Sequence, residues 1–133
     1  MEIKRSIDIE DTIRKLLADY YTAYVRPLPD KFKVPSLLIQ KVGGTSIRRA
    51  DQLREVDHFD VSIDARAETE YEADIILRNS IAILEKIASE QNTNILRVVV
   101  NTSGSWGQDP VRPDLAMTTA RLRVTARTEN III

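Results

Sequence analysis

The chain has 133 residues, no cysteine, one histidine, 29% charged residues and a formal net charge of −1. This composition excludes a disulfide framework and a thiolate metal site, and it gives no overall basic footprint for nucleic acid. No apolar run approaches the roughly 18 residues of a membrane-spanning helix, and residues 1–5 contain no apolar signal-peptide segment. We therefore expect a single soluble domain, residues 1–133, that is made in the cytoplasm.

The N-terminal segment predicts an amphipathic helix. Asp8 has the side chain of an N-cap, and Asp11 lies in the first turn, where the helix dipole favours a carboxylate. The apolar stripe consists of Ile9, Ile13, Leu16, Leu17, Tyr20 and Tyr24. Pro27 and Pro29 are expected to end this helix and to form an extended linker.

Two strands are predicted next. Residues 36–42 form a nearly continuous apolar run, which indicates a strand buried on both faces. Gly43 and Gly44 are expected to end it, and residues 45–53 to form a loop. Residues 54–65 predict a strand of about twice the usual length, with clean alternation in its second half. Its first half alternates poorly, which indicates either a bulge or a projection beyond the core.

Residues 70–90 predict a second, longer helix that follows this strand directly. Thr69 and Glu72 have the spacing of a capping box. Apolar residues recur in this segment at helical spacing or next to such positions, and they are expected to face the core. They are Tyr71, Ala73, Ile75, Ile76, Leu77, Ile83, Leu84, Ile87 and Ala88.

The last part of the chain predicts a third strand at residues 95–100, a turn-rich loop at 103–110 and a fourth strand at 115–128. In the fourth strand, Ala120, Leu122, Val124 and Ala126 share one face, and Arg121, Arg123, Thr125 and Arg127 share the other. The order α-β-β-α-β-β predicts an α+β fold, in which a four-stranded, mainly antiparallel sheet has two helices packed mainly on one face.

The opposite face of that sheet is left open to solvent or to a partner. It is expected to carry Asp60, Asp64, Arg121, Arg123 and Arg127. The two aspartates lie about 13 Å apart by strand rise, which is wider than paired-carboxylate glycosidase chemistry requires. Cross-strand pairing with Arg121 or Arg123 is the expectation.

No catalytic, cofactor-binding or metal-binding residue is predicted. His58 has no second histidine or cysteine to assist it. Ser105 lies between two predicted strands, whereas a nucleophile elbow joins a strand to a helix. The segment from Gly43 to Thr45 lacks the lysine of a phosphate loop. We expect a protein that is not an enzyme.

Two apolar features remain. Trp106, in its glycine-rich loop, either folds back on its own core or anchors a contact with another subunit. Ile131, Ile132 and Ile133 would normally fray in solvent, and docking on a neighbouring subunit would explain them. We expect Trp106→Ala, or deletion of the three isoleucines, to weaken subunit association more than folding.

Taken together, these elements resemble the tail-completion, or tail-terminator, proteins of long-tailed bacteriophages. The resemblance covers almost the whole chain. It rests on the N-terminal amphipathic helix and on five sequence stretches, which are Val34-Pro35-Ser36-Leu37-Leu38-Ile39 leading to Val42-Gly43-Gly44, Phe59-Asp60-Val61-Ser62-Ile63-Asp64-Ala65, Glu72-Ala73-Asp74, Asp109-Pro110, and Ala120-Arg121-Leu122-Arg123-Val124-Thr125-Ala126.

The resemblance implies a structural protein that caps the growing tail tube as a hexameric ring at the head-proximal end of the tail. Its partners would be further copies of itself, the major tail-tube protein and the head-side connector. DNA would pass through the ring without sequence-specific contacts, and no catalytic residue or cofactor is implied. Two alternatives stay open, namely a head-side joining protein (a stopper or adaptor) and a small ligand-binding α+β domain.

Overall fold

The computed structural model describes residues 3–6, 8–46, 56–110, 112–127 and 129–132. In chain order the elements are β1 (Ile3–Ser6), α1 (Ile9–Leu17), β2 (Ala23–Val25), β3 (Ser36–Ser46), β4 (Val56–Ala67), α2 (Glu70–Glu90), β5 (Ile95–Gln108), β6 (Ala116–Arg127) and β7 (Glu129–Ile132). Within these ranges, neither helix is long and apolar enough to cross a membrane.

The main sheet has five strands in the order β2-β3-β4-β6-β5, and β1 and β7 form a separate two-stranded sheet. Neighbouring strands of the main sheet run antiparallel, except that β2 runs parallel to β3. The predicted α+β class and the antiparallel pairing of the four longest strands are confirmed. The predicted number of strands is wrong, because β1, β2 and β7 are too short to show a period in the sequence.

The first helix is shorter than predicted. It ends at Leu17, whose carbonyl oxygen accepts hydrogen bonds from the backbone N–H groups of Tyr20 and Tyr21, each at 3.0 Å. Tyr24, which was assigned to the helical stripe, lies in β2 opposite Leu38. The predicted cap is confirmed, since the Asp11 N–H donates to Asp8 Oδ1 at 3.1 Å.

Two strands continue through segments that were predicted as loops. A register shift between Lys41 and Gly43 lets β3 pass the two glycines and pair with β4 as far as Ser46. β5 likewise runs to Gln108, with register shifts on both sides of Thr102. The turn-forming residues lie within these strands near β-bulges, which the alternation of apolar and polar residues in the sequence does not reveal.

Both helices pack on one face of the main sheet, as predicted. The buried cluster between the layers includes Ile9, Ile13, Leu17, Leu37, Ile39, Val61, Ile63, Leu77, Leu84, Ile95, Leu122 and Val124. The bounds of α2 and its cap are confirmed, because the Glu72 N–H donates to Thr69 Oγ1 at 3.2 Å. Tyr71 and Ile75, which were expected to face the core, are instead 76% and 37% exposed.

An ion pair connects α1 to the sheet. Arg26 Nη2 donates to Glu10 Oε1 at 2.9 Å and to the Lys41 carbonyl oxygen at 3.3 Å. Partial burial raises the pKa of Glu10, but hydrogen bonding and the charges of Arg26 and Lys41 outweigh this effect, so the pKa lies below its ordinary value.

Candidate interaction surface

The face of the main sheet that points away from α1 and α2, called here the second face, carries the charged residues that were predicted for an interface. Even-numbered residues of β4 lie opposite odd-numbered residues of β6, so that Asp60 pairs with Arg123 and Asp64 with Thr119. Arg121 and Arg127 are exposed in the same strand. The structure therefore places all five predicted charged residues on one face.

The predicted cross-strand ion pair forms at Asp60. Its Oδ1 atom lies 3.3 Å from Arg123 Nε, and the two side chains are 36% and 50% exposed. Within the described part of the chain, neither Arg121 nor Arg127 pairs with a carboxylate. This part of the second face therefore presents guanidinium groups that no carboxylate of the described residues compensates.

Asp64 does not pair with an arginine, which corrects the prediction. The Thr119 hydroxyl donates to its Oδ1 atom at 2.9 Å, and Gln40 Nε2 donates to its Oδ2 atom at 3.2 Å. Asp64 is only 7% exposed. The strand register places Thr119 directly opposite it, and register cannot be read from one strand alone.

A buried ion pair that the sequence does not signal lies further along β4. Arg66 Nε contacts Asp109 Oδ2 at 3.0 Å, and the side chains are 9% and 0% exposed. The guanidinium groups of Arg66 and Arg112 each lie 5.8 Å from the centroid of the Phe32 ring. Three segments that are far apart in the chain meet here, and no periodicity connects them.

The edge strand β5 extends the basic part of the second face. Arg97 lies opposite Thr125, and Val99, which is 37% exposed, lies opposite Arg123. We use the name arginine surface for Arg97, Val99, Arg121, Arg123 and Arg127. The sequence prediction missed Arg97 and Val99, since their face depends on the register shift between Ile95 and Arg97.

The residues considered for catalysis do not converge. His58 Nδ1 lies 2.9 Å from Thr125 Oγ1, and Ser105 belongs to β5, opposite Thr119. Among the described residues, no group of three or more His, Cys, Asp or Glu side chains is placed to hold a metal ion. A shallow groove of about 260 Å³ lies beside the end of α2 and the start of β5, and its lining includes Glu85, Ser89 and Arg97.

Trp106 lies in β5 opposite Thr118, so its assignment to a loop is wrong. Its side chain is outside what the structure describes. Ile131 and Ile132 lie in β7 and pair with Lys4 and Ile3 of β1, and Ile133 lies outside the described residues. The interface role of these apolar residues stays a prediction.

No protein-family model matches the sequence, and no curated protein matches it. The fold is similar to that of a chain in the virion of a native gene transfer agent (GTA) particle. The TM-score is 0.56 at 8% sequence identity, over 86% of this chain and 84% of the other. The likeness shows a shared fold, and membership of the tail-completion family stays a prediction.

Proposed function

We propose that this protein is a structural component of a phage or prophage virion, and more narrowly that it is the tail-completion protein. The observation that carries the proposal is the fold shared with a GTA virion chain, which extends over 86% of this chain and 84% of the other. A match of that extent relates one whole domain to another. It supports a role in a particle, where small domains act by repetition.

In this role the protein forms a hexameric ring at the head-proximal end of the tail. The ring stops growth of the tail tube and prepares the tail to join a head. Its partners are further copies of itself, the major tail-tube protein and the head-side connector. The DNA passes through the ring lumen, and the protein acts without catalysis or a cofactor.

The second face suits a contact that must be made in one orientation. Arg121 and Arg127 are exposed and have no ion-pair partner among the described residues. Charges at the rim of an interface set its register and its partner more than they raise affinity. Such a surface supports specific joining at the end of a tube, where each contact is formed by mass action.

The test is deletion of the gene from its phage, with restoration of the wild-type gene from a plasmid as the control. We expect filled heads and unattached tails of abnormal length in electron micrographs. Tails of normal length that are attached to heads would overturn the proposal. Unattached tails of normal length would instead assign the protein to head-side joining, as a stopper or adaptor.

A further inference from the structure

The outer side of α2 carries an apolar pair within an acidic rim. Tyr71 and Ile75 lie one helical turn apart and are 76% and 37% exposed. At 3.6 residues per turn, Glu72 and Asp74 flank this pair on either side. Two further carboxylates, Glu68 and Glu70, are exposed at the start of the helix. We call these six residues the acidic surface.

One basic residue lies close to this surface. Arg78 Nη2 contacts Asp74 Oδ2 at 2.9 Å, so it neutralises one of the four carboxylates. Within the described chain, Glu68, Glu70 and Glu72 have no ion-pair partner. The acidic surface therefore keeps a net negative charge around an exposed apolar centre.

The arginine surface has the same layout with the opposite sign. Val99 is its exposed apolar residue, and Arg123 lies directly opposite on β6. Arg97 lies two residues before Val99 on β5, and Arg121 is a diagonal neighbour of Val99 on β6, about 7–8 Å away. An apolar centre with a polar rim is the usual anatomy of a protein interface.

We propose that the acidic surface of one copy of this chain binds the arginine surface of a second copy. The two surfaces belong to different layers, since the acidic surface lies on α2, which covers one face of the sheet, and the arginine surface lies on the second face. One chain therefore cannot bring them together, and the contact is heterologous, so its repetition gives a ring or a filament. The choice of a second copy as occupant rests on the proposed function.

Each surface contributes both apolar and charged groups to the contact. Tyr71 stacks on a guanidinium group of the neighbouring copy, and this geometry is favourable for arginine and an aromatic ring. Ile75 and Val99 supply the apolar centre. The rim charges set the register and make association weaken as salt increases.

Two charge-reversed full-length variants test the contact. Arg97→Glu with Arg121→Glu changes two arginines that have no described ion-pair partner, and Glu68→Lys with Glu70→Lys changes two exposed glutamates. We expect each variant alone to associate at least about tenfold more weakly than the wild type in analytical ultracentrifugation. An equimolar mixture should recover most of the loss, because each reversed surface then meets an opposite charge.

Lys31→Glu with Lys33→Glu is the matched control for the arginine variant, since it makes the same change in net charge on exposed lysines between β2 and β3. We expect it to associate like the wild type, and circular dichroism should show that every variant is folded. A mixture that associates no better than either variant overturns the proposal, as does a control variant that is equally impaired.

The same variants are then expressed in the phage that lacks the gene, which tests the contact at the tube end even if the wild type is monomeric in solution. We expect neither variant alone, but both together, to restore attached tails. Failure of the pair, or success of either variant alone, overturns the contact. The proposed function is judged separately, by the tails of the deletion phage.

Discussion

The second face of the sheet contains two Asp–Arg pairs in very different surroundings. Arg66 and Asp109 are 3.0 Å apart with side chains 9% and 0% exposed, whereas Arg123 and Asp60 are 3.3 Å apart with side chains 50% and 36% exposed. Segments near Phe32 and Arg112 pack against the first pair. One end of the face is therefore built like a core, while the other is exposed to solvent.

Burial, and not residue type, decides how much such a pair matters for stability. A buried charge that loses its partner retains the full cost of desolvation. An exposed charge that loses its partner is taken up by water. The same pair of residue types should therefore stabilise the fold at one end of the face and remain available for binding at the other.

The largest effect is expected from Asp109→Ala. It leaves the guanidinium of Arg66 buried without its carboxylate, which should cost about 3–5 kcal/mol of unfolding free energy in chemical denaturation. Combining it with Arg66→Met should recover part of the loss, because the uncompensated charge is then absent. A loss below about 1 kcal/mol would contradict the buried pair.

The second prediction concerns Asp64, which lies in β4 between Asp60 and Arg66. Thr119→Val removes the hydroxyl that donates to Asp64 at 2.9 Å and should cost about 1–3 kcal/mol, since a buried acceptor loses a donor. Thr102→Val, at an exposed position of the neighbouring strand β5, is the matched control and should change stability by less than about 0.5 kcal/mol. An equal loss of stability in the control variant would show that the effect of Thr119→Val does not depend on the burial of Asp64.

Much of the framework could be predicted from the sequence. The caps at Asp8 and Thr69 and the bounds Glu70–Glu90 of α2 follow from local patterns, because a cap involves residues only three positions apart. The apolar and arginine faces of β6 follow from strict alternation, and burial confirms them.

Features that depend on distant residues could not be predicted. The partner of Asp64 follows from strand register, and the pairing of Arg66 with Asp109 joins residues 43 positions apart. Tyr71 and Ile75 were misassigned because apolar residues surround much of α2, and only packing shows which of them face the sheet. Arg97 and Val99 depend on a register shift.

The third prediction concerns the N-cap of α2, whose contribution to stability can be compared with those of the two Asp–Arg pairs. Thr69→Ala removes the side chain that accepts the Glu72 N–H at 3.2 Å and should lower stability by about 1 kcal/mol. Thr69→Ser should keep most of that stability, because the hydroxyl is retained. An unchanged thermal midpoint for the alanine variant, with intact helix content, would show that the cap contributes nothing.

The smallest effect on folding is expected from Asp60→Ala, the counterpart of Asp109→Ala at the open end. Its pair with Arg123 is solvated, so the loss should be about 0–1 kcal/mol and should shrink further at high salt. Association with a second copy, in contrast, should become stronger. Removing Asp60 frees Arg123 and makes the arginine surface more positive, so that it should bind the acidic surface of a second copy more tightly at low salt. Denaturation and analytical ultracentrifugation of this variant separate the two roles. A large loss of stability would show that the open end is also part of the core, and weaker association would show that Asp60 itself belongs to the contact.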